Sequence, residues 1–231
     1  MQIDPEQPQI LVFDVNETLL DISALRPQVE KVFGNGRPLK EWFSNTLLYS
    51  QAATLVGAYA DFTTLARHAL EMTAKAHAVQ LREQDADSVV DGMKTLPAYP
   101  DVSDALERLH NVGFRLVAFT NSTQSAVEGQ LRTNNLTQMF ERIFSVDAVK
   151  KYKPHPDVYR NVADQLNVAT SRMMMIAAHP WDLMGAQAAG CKIAFVERAG
   201  TACFPLIAKP KISGPTLEEI ATQLISEKAE T

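Results

Sequence analysis

The side chains in this sequence best suited to chemistry lie at the ends of apolar runs. Asp14 follows Ile10-Leu11-Val12-Phe13, Thr120 and Asn121 follow Leu116-Val117-Ala118-Phe119, and His179 and Asp182 follow Met173-Met174-Met175-Ile176-Ala177-Ala178. Lys153 stands in a loop beyond the shorter run Ile143-Phe144-Ser145. A carboxylate at the end of a buried strand is a nucleophile candidate, and Asn16 and Thr18 just beyond Asp14 supply groups that can cradle an anion. A nearby ammonium such as Lys153 keeps such a carboxylate ionised, and a second acid or an imidazole can take a proton from water.

These residues meet only if their strands lie side by side. Short branched runs that stop at polar residues read as buried parallel strands, and strands alternating with helical patterns from Pro97 onward imply a parallel sheet. Such a sheet delivers all its carboxyl ends to one rim. Helices are predicted over Val102 to Asn111, about Ser125 to Thr133, about Asp157 to Leu166, from Asp182 through Gly185 to Ala189, and about Thr216 to Ser226; Ile193 to Val196 reads as the last strand, with 209–215 a Pro-rich loop. Residues 22–97 carry no strand pattern. Four helices fit there, broken at Gly34-Asn35-Gly36-Arg37-Pro38 and at Tyr59-Ala60-Asp61-Phe62, with Trp42, Phe43, Leu47, Leu48 and Tyr49 as the core stripe of the bundle. The fold class is therefore α/β, a Rossmann-like parallel sheet core of residues 1–21 and 98–231 with an inserted helical bundle, 22–97.

Taken singly, each site candidate has a plainer structural reading. Asp14 could open an Asx turn, Thr120 could cap a helix, Lys153 could be a solvated charge, and Asp182 could be an N-cap. Their joint placement at strand ends is what argues for a site.

Composition excludes several classes. The 231 residues, 46% of them hydrophobic, suffice for one core and a smaller inserted unit. A net charge of −5 without clustered Lys and Arg argues against a general nucleic-acid binder or a basic membrane-surface protein. No apolar run approaches the roughly 18 residues of a membrane span, and the polar, acidic start has no leader pattern, so a cytoplasmic protein is expected. Cys191 and Cys203 form no disulfide framework or zinc pattern.

In order and spacing, these positions resemble the haloacid dehalogenase superfamily across nearly the whole chain. The resemblance sets Asp14 and Thr18 in its Asp-x-x-x-Thr motif as nucleophile and anion-holding threonine, Thr120 as the second-motif hydroxyl, Lys153 as the third-motif lysine and Asp182 as the fourth-motif acid. Residues 22–97 correspond to its helical cap. Within the superfamily the likeness is greatest to type II 2-haloacid dehalogenases, through Ser145-Val146-Asp147, Tyr152-Lys153-Pro154, Tyr159, and Trp181-Asp182 followed by Gly185-Ala186.

That resemblance implies hydrolysis of short 2-haloalkanoic acids through an Asp14 ester, with a small carboxylate and halide as ligands, no cofactor, no nucleic-acid or membrane partner, and homodimerisation. Asp14, Lys153, Asp182, Thr18 and His179 form the catalytic set; Asn16, Thr120, Asn121, Phe43, Tyr159 and Trp181 form the substrate-binding set. The alternative from the same superfamily is a Mg²⁺-dependent phosphatase of a small metabolite. Such phosphatases usually place a second aspartate where this chain has Asn16, and an amide cannot protonate a leaving alcohol. A third reading is a non-catalytic binding protein that keeps the fold. The chain also departs from type II dehalogenases: Phe43 stands opposite their halide-receiving arginine, and Ala177 and His179 replace a serine and an asparagine. His179 reads equally as a base and as a structural histidine.

Overall fold

A computed structural model describes residues 8–230; 1–7, most of the polar amino-terminal stretch, and 231 lie outside the described residues. Strands β1 (Ile10–Phe13), β2 (Arg115–Thr120), β3 (Arg142–Ser145), β4 (Met173–Ala177), β5 (Lys192–Val196) and β6 (Ile212–Gly214) form one parallel sheet in the order β3-β2-β1-β4-β5-β6. Every residue of β1 and β4 is buried, as expected of central strands covered on both faces. The chain builds outward from β1 to β2 and β3, then returns to the other side of β1 for β4. This reversal opens a crevice at the carboxyl ends of β1 and β4, where Asp14 and residues 178–182 emerge.

Helices α1 (Arg26–Phe33), α2 (Pro38–Val56), α3 (Phe62–Ala76) and α4 (Glu83–Gly92) lie between β1 and β2 in sequence. Gly34 and Gly57 end α1 and α2 in the left-handed conformation, and the Asp61 side chain caps α3 through the Thr64 amide. The chain leaves the sheet and comes back along adjacent paths. Leu20 bridges Ala98, Asp21 N donates to Pro97 O at 2.8 Å, and Tyr99 N donates to Leu19 O at 2.9 Å. Asn134 holds the returning segment from the side, accepting from Ala98 N and donating to Leu96 O.

The remaining helices are α5 (Val102–Asn111), α6 (Gln124–Thr133), α7 (Pro156–Leu166), α8 (Pro180–Ala188) and α9 (Leu217–Ala229). Three expectations need correction. The stripe on α2 is not all core: Trp42 and Phe43 are buried, whereas Leu48 and Tyr49 are 57% and 41% exposed. The buried face follows Trp42, Thr46 and Ser50 at four-residue spacing, and the two hydroxyls bond back to Trp42 O and Leu47 O. The Pro-rich loop at 209–215 contains β6, an edge strand too short to show a period, with Ile212 buried against Ala194. Finally, α8 starts at Pro180 with His179 at its N-cap, so Asp182 sits inside the first turn.

Gly185 on α8 is where the backbone comes closest to a site loop. A Cβ there would lie 2.3 Å from Pro154 O and 2.7 Å from its Cα, so a larger residue must push back the turn that carries Lys153. Gly185→Ala is expected to destabilise the protein by about 1–3 kcal/mol, seen as a lower urea midpoint; an unchanged midpoint would mean that the turn yields freely.

Candidate active site

Asp14 follows β1, and its amide donates to Ile176 O on β4 at 3.0 Å, which fixes the backbone at the crevice. Its carboxylate is ringed by donors. Lys153 Nζ lies 3.1 Å from Oδ1, while Thr18 Oγ1 donates to Oδ2 at 2.8 Å and His179 Nδ1 stands 3.2 Å from the same oxygen. Lys153 is 0% exposed and also reaches Asp182 Oδ2 at 2.9 Å and Phe119 O at 2.7 Å, above the Phe119 ring. The Asn121 side-chain oxygen Oδ1 accepts from the Lys153 backbone amide at 3.0 Å, and Tyr159 donates its hydroxyl to Asp182 Oδ1 at 2.5 Å. The rim thus brings together Asp14, Thr18, Asn121, Lys153, Tyr159, His179 and Asp182.

The other sequence candidates are placed differently. Thr120 Oγ1 accepts from the Ser122 amide, and Asn16 is spanned by Ser122 and Gln130, so both amide ends of Asn16 are taken. Trp181 packs on the His179 ring at 4.9 Å between centroids. Phe43 and Tyr99 line a cavity of about 570 Å³ that also touches Glu17, Arg26, Arg37 and Lys40. Arg26 and Arg37 therefore both border this cavity, whereas Arg67 pairs with Asp87.

Two neighbours of this cluster escaped the sequence reading. Arg198, just past β5, is buried, pairs with Asp101 and donates to Thr18 O at 2.9 and 3.2 Å, bracing the loop beyond Asp14. Its signal was a charge immediately after a core strand. Glu17, inside the Asp-x-x-x-Thr stretch, accepts from or pairs with His179 Nε2 at 2.8 Å through Oε2. Glu17 has φ +61°, a left-handed conformation that costs a residue with a Cβ about 1 kcal/mol or more.

Electrostatics distinguishes the carboxylates. Burial opposes ionisation of Asp14, but Lys153, then His179 and Thr18, outweigh it and hold Asp14 well below the ordinary carboxylate range. Burial instead prevails at Asp182 and, with the Asp14 charge, pushes it up despite Lys153 and Tyr159. His179 is buried too, which disfavours its charged form, yet hydrogen bonds to Asp14 and Glu17 push it up to about 10. The resting site therefore holds an anionic Asp14 between an ammonium and an imidazolium. Among the described residues no group of three or more His, Cys, Asp or Glu side chains has metal-ligating geometry.

Residues 8–190 match the family model for haloacid dehalogenase-like hydrolase. The chain is 33% identical over 189 residues to (S)-2-haloacid dehalogenase 1 of Pseudomonas sp. strain CBS-3, covering 81% of this chain and 83% of that protein. It is 30% identical over 191 residues to (S)-2-haloacid dehalogenase 4A of Burkholderia cepacia, covering 82% and 83%. In fold it matches the L-2-haloacid dehalogenase of Xanthobacter autotrophicus with chloropropionic acid covalently bound, with TM-score 0.87 over 95% of this chain and 99% of that one at 23% identity.

The linkage of His179 to stability has a definite sign. Its folded value is raised from 6.5 to about 10, so its contribution is whole below pH 6.5 and is lost as pH rises through about 10. Thermal midpoints measured from pH 6 to 10.5 are expected to fall more steeply for the wild type than for His179→Asn. Parallel curves would show that no ion pair titrates there.

Proposed function

The chain belongs to the haloacid dehalogenase-like hydrolases, and from that membership we propose that it hydrolyses short 2-haloalkanoic acids, releasing halide and a 2-hydroxy acid. The observation that carries the reading is the buried Asp14 carboxylate, kept ionised by Lys153. Halide leaves as a weakly basic anion and needs no proton, whereas a phosphate ester's alkoxide does. Asn16, at the position from which a general acid would work, has its amide engaged by Ser122 and Gln130.

In this mechanism the Asp14 carboxylate attacks the halogen-bearing carbon from behind. Configuration there inverts, an aspartyl ester forms, and water then cleaves the ester at the Asp14 carbonyl carbon. Lys153 keeps the nucleophile charged and later steadies the oxyanion. Asp182 or His179 positions or deprotonates the water. Thr120 and backbone N–H groups hold the substrate carboxylate, Thr18 steadies Asp14 through its hydroxyl, and Asn121 and Trp181 border the halide. Helices α1–α4 act as a cap over the rim. In the cavity beneath it, Arg26, Arg37 and Lys40 draw in the anionic substrate, and Phe43 and Tyr99 shape its wall. The names of the relatives at 33% and 30% identity support 2-haloacids and the (S) enantiomer.

The test is halide release from racemic 2-chloropropionate and from fluoroacetate in EDTA-containing buffer. Wild type is expected to release halide from the chloro acid and leave one enantiomer behind. Asp14→Asn abolishes release, and Lys153→Met lowers kcat by about 10²-fold or more. Absence of release by folded wild type, or its persistence in Asp14→Asn, removes this reading.

A further inference from the structure

We propose that the 2-halo acid taken by this chain carries a second carboxylate, and that Arg26, Arg37 and Lys40 receive it in the cavity they line. The inference rests on the dehalogenase reading and narrows its substrate class from monoacids to diacids. Attack and hydrolysis then run as on a monoacid, with a 2-hydroxy diacid and halide as products. A three-carbon acid leaves most of this space empty: the cavity holds about 570 Å³, within the range of about 300–1,000 Å³ that takes drug-sized ligands. Its wall nearest the nucleophile is Glu17, one imidazole ring away from Asp14. A chain that extends past that ring enters the cavity.

The charges on the cavity wall are unequally satisfied. Its two acids are already engaged: Glu17 faces His179, and the two oxygens of Asp21 accept from the Ser23 amide and hydroxyl at 2.8 Å each. Its three cations are not. Among the described residues, none of Arg26, Arg37 and Lys40 has an ion-pair or hydrogen-bond partner for its side chain. Cations elsewhere in the cap are treated differently, since Lys31 and Arg82 pair with Asp85 and Arg67 pairs with Asp87. The cavity therefore carries a surplus of positive charge that this chain leaves unanswered.

The same three residues stand where a helix tolerates cations least. Arg26 opens α1, whose first turn holds no acid, while Arg37 is the N-cap of α2 and Lys40 lies in its first turn. Helix N-termini favour negative charge. Glu41, the acid in that turn of α2, is drawn to His77 Nε2 at 2.7 Å. Two glycines make room for the cations. A Cβ on Gly36 would lie 2.6 Å from Arg26 Cγ, so the loop is pared back where that side chain crosses it. A Cβ on Gly200 would lie 3.4 Å from Lys40 Nζ, which places the ammonium of a cap helix against a loop of the core. An anion in the cavity relieves all of these repulsions at once. The carboxylate next to the halogen cannot be that anion, because it is held at the rim by Thr120 and backbone N–H groups. A second carboxylate, further along the same chain, can.

The test compares kcat/KM for chloride release from 2-chlorosuccinate, 2-chloroglutarate and 2-chloroadipate with that from the 2-chloro monoacid of the same carbon number. Asp14→Asn is run beside each to subtract uncatalysed loss. At least one diacid is expected to exceed its monoacid by about 10-fold or more. In Arg26→Gln, Arg37→Gln and Lys40→Gln that advantage shrinks to about threefold or less, chiefly through KM. The thermal midpoints of these variants hold or rise, because an unpaired cation has left a helix N-terminus. Monoacids that match or outrun their diacids throughout the series overturn the assignment, as does a diacid advantage that all three variants keep. It also fails if the variants lose monoacid turnover as severely as diacid turnover, since the cations would then serve the halide or the shared carboxylate. Wild type that releases chloride from neither class fails the parent reading, which is distinguishable because it shows in the monoacid assays alone.

Discussion

An ammonium fully withdrawn from water sets the terms for everything around it. Lys153 lies between Asp14 and Asp182 with a backbone carbonyl as its third partner, so each of its donors is satisfied. A buried ion pair repays its desolvation only with such complete partnering, and removing one member strands the others. One cation cannot balance two carboxylates. The imbalance is divided unequally: Asp14 is favoured as an anion and Asp182 is pushed toward the neutral form. His179 supplies a second positive charge on the open side of Asp14, balanced in turn by Glu17.

The fold serves this cluster by fixing backbones before side chains. The sheet order places the ends of β1 and β4 together, and Ala178 N donates to Thr18 Oγ1, which itself donates to Asp14. Arg198 ties the next peptide of that loop to Asp101. The stretch from Asp14 to Thr18 is therefore held by its own strand, the neighbouring strand end and a buried guanidinium. Preorganisation of this kind means little rearrangement is needed when charge develops in a reaction.

Much of this was legible because parallel strands announce themselves as short apolar runs and their ends must share a rim. Asp14, Lys153, His179 and Asp182 could be placed together without any distance being known. Glu17 could not, because an acid in a tight turn looks like any solvated charge, and its partner lies far away in sequence. Arg198 escaped for the same reason. Leu48 and Tyr49 misled because neighbouring apolar residues were read as one stripe, while the buried face of α2 passes through Thr46 and Ser50, whose hydroxyls are satisfied by their own helix. β6 is a strand only by virtue of its neighbour β5.

The paired crossing of Leu20 with Ala98 has a consequence for how this architecture changes over generations. The helical block enters and leaves through one narrow doorway, so any replacement need only bring its two ends to the same spot, a closure requirement that grows slowly with length. Most of the ring of charges around Asp14 comes from outside that block. Evolution can therefore exchange or recut that block while inheriting the charges around Asp14 intact.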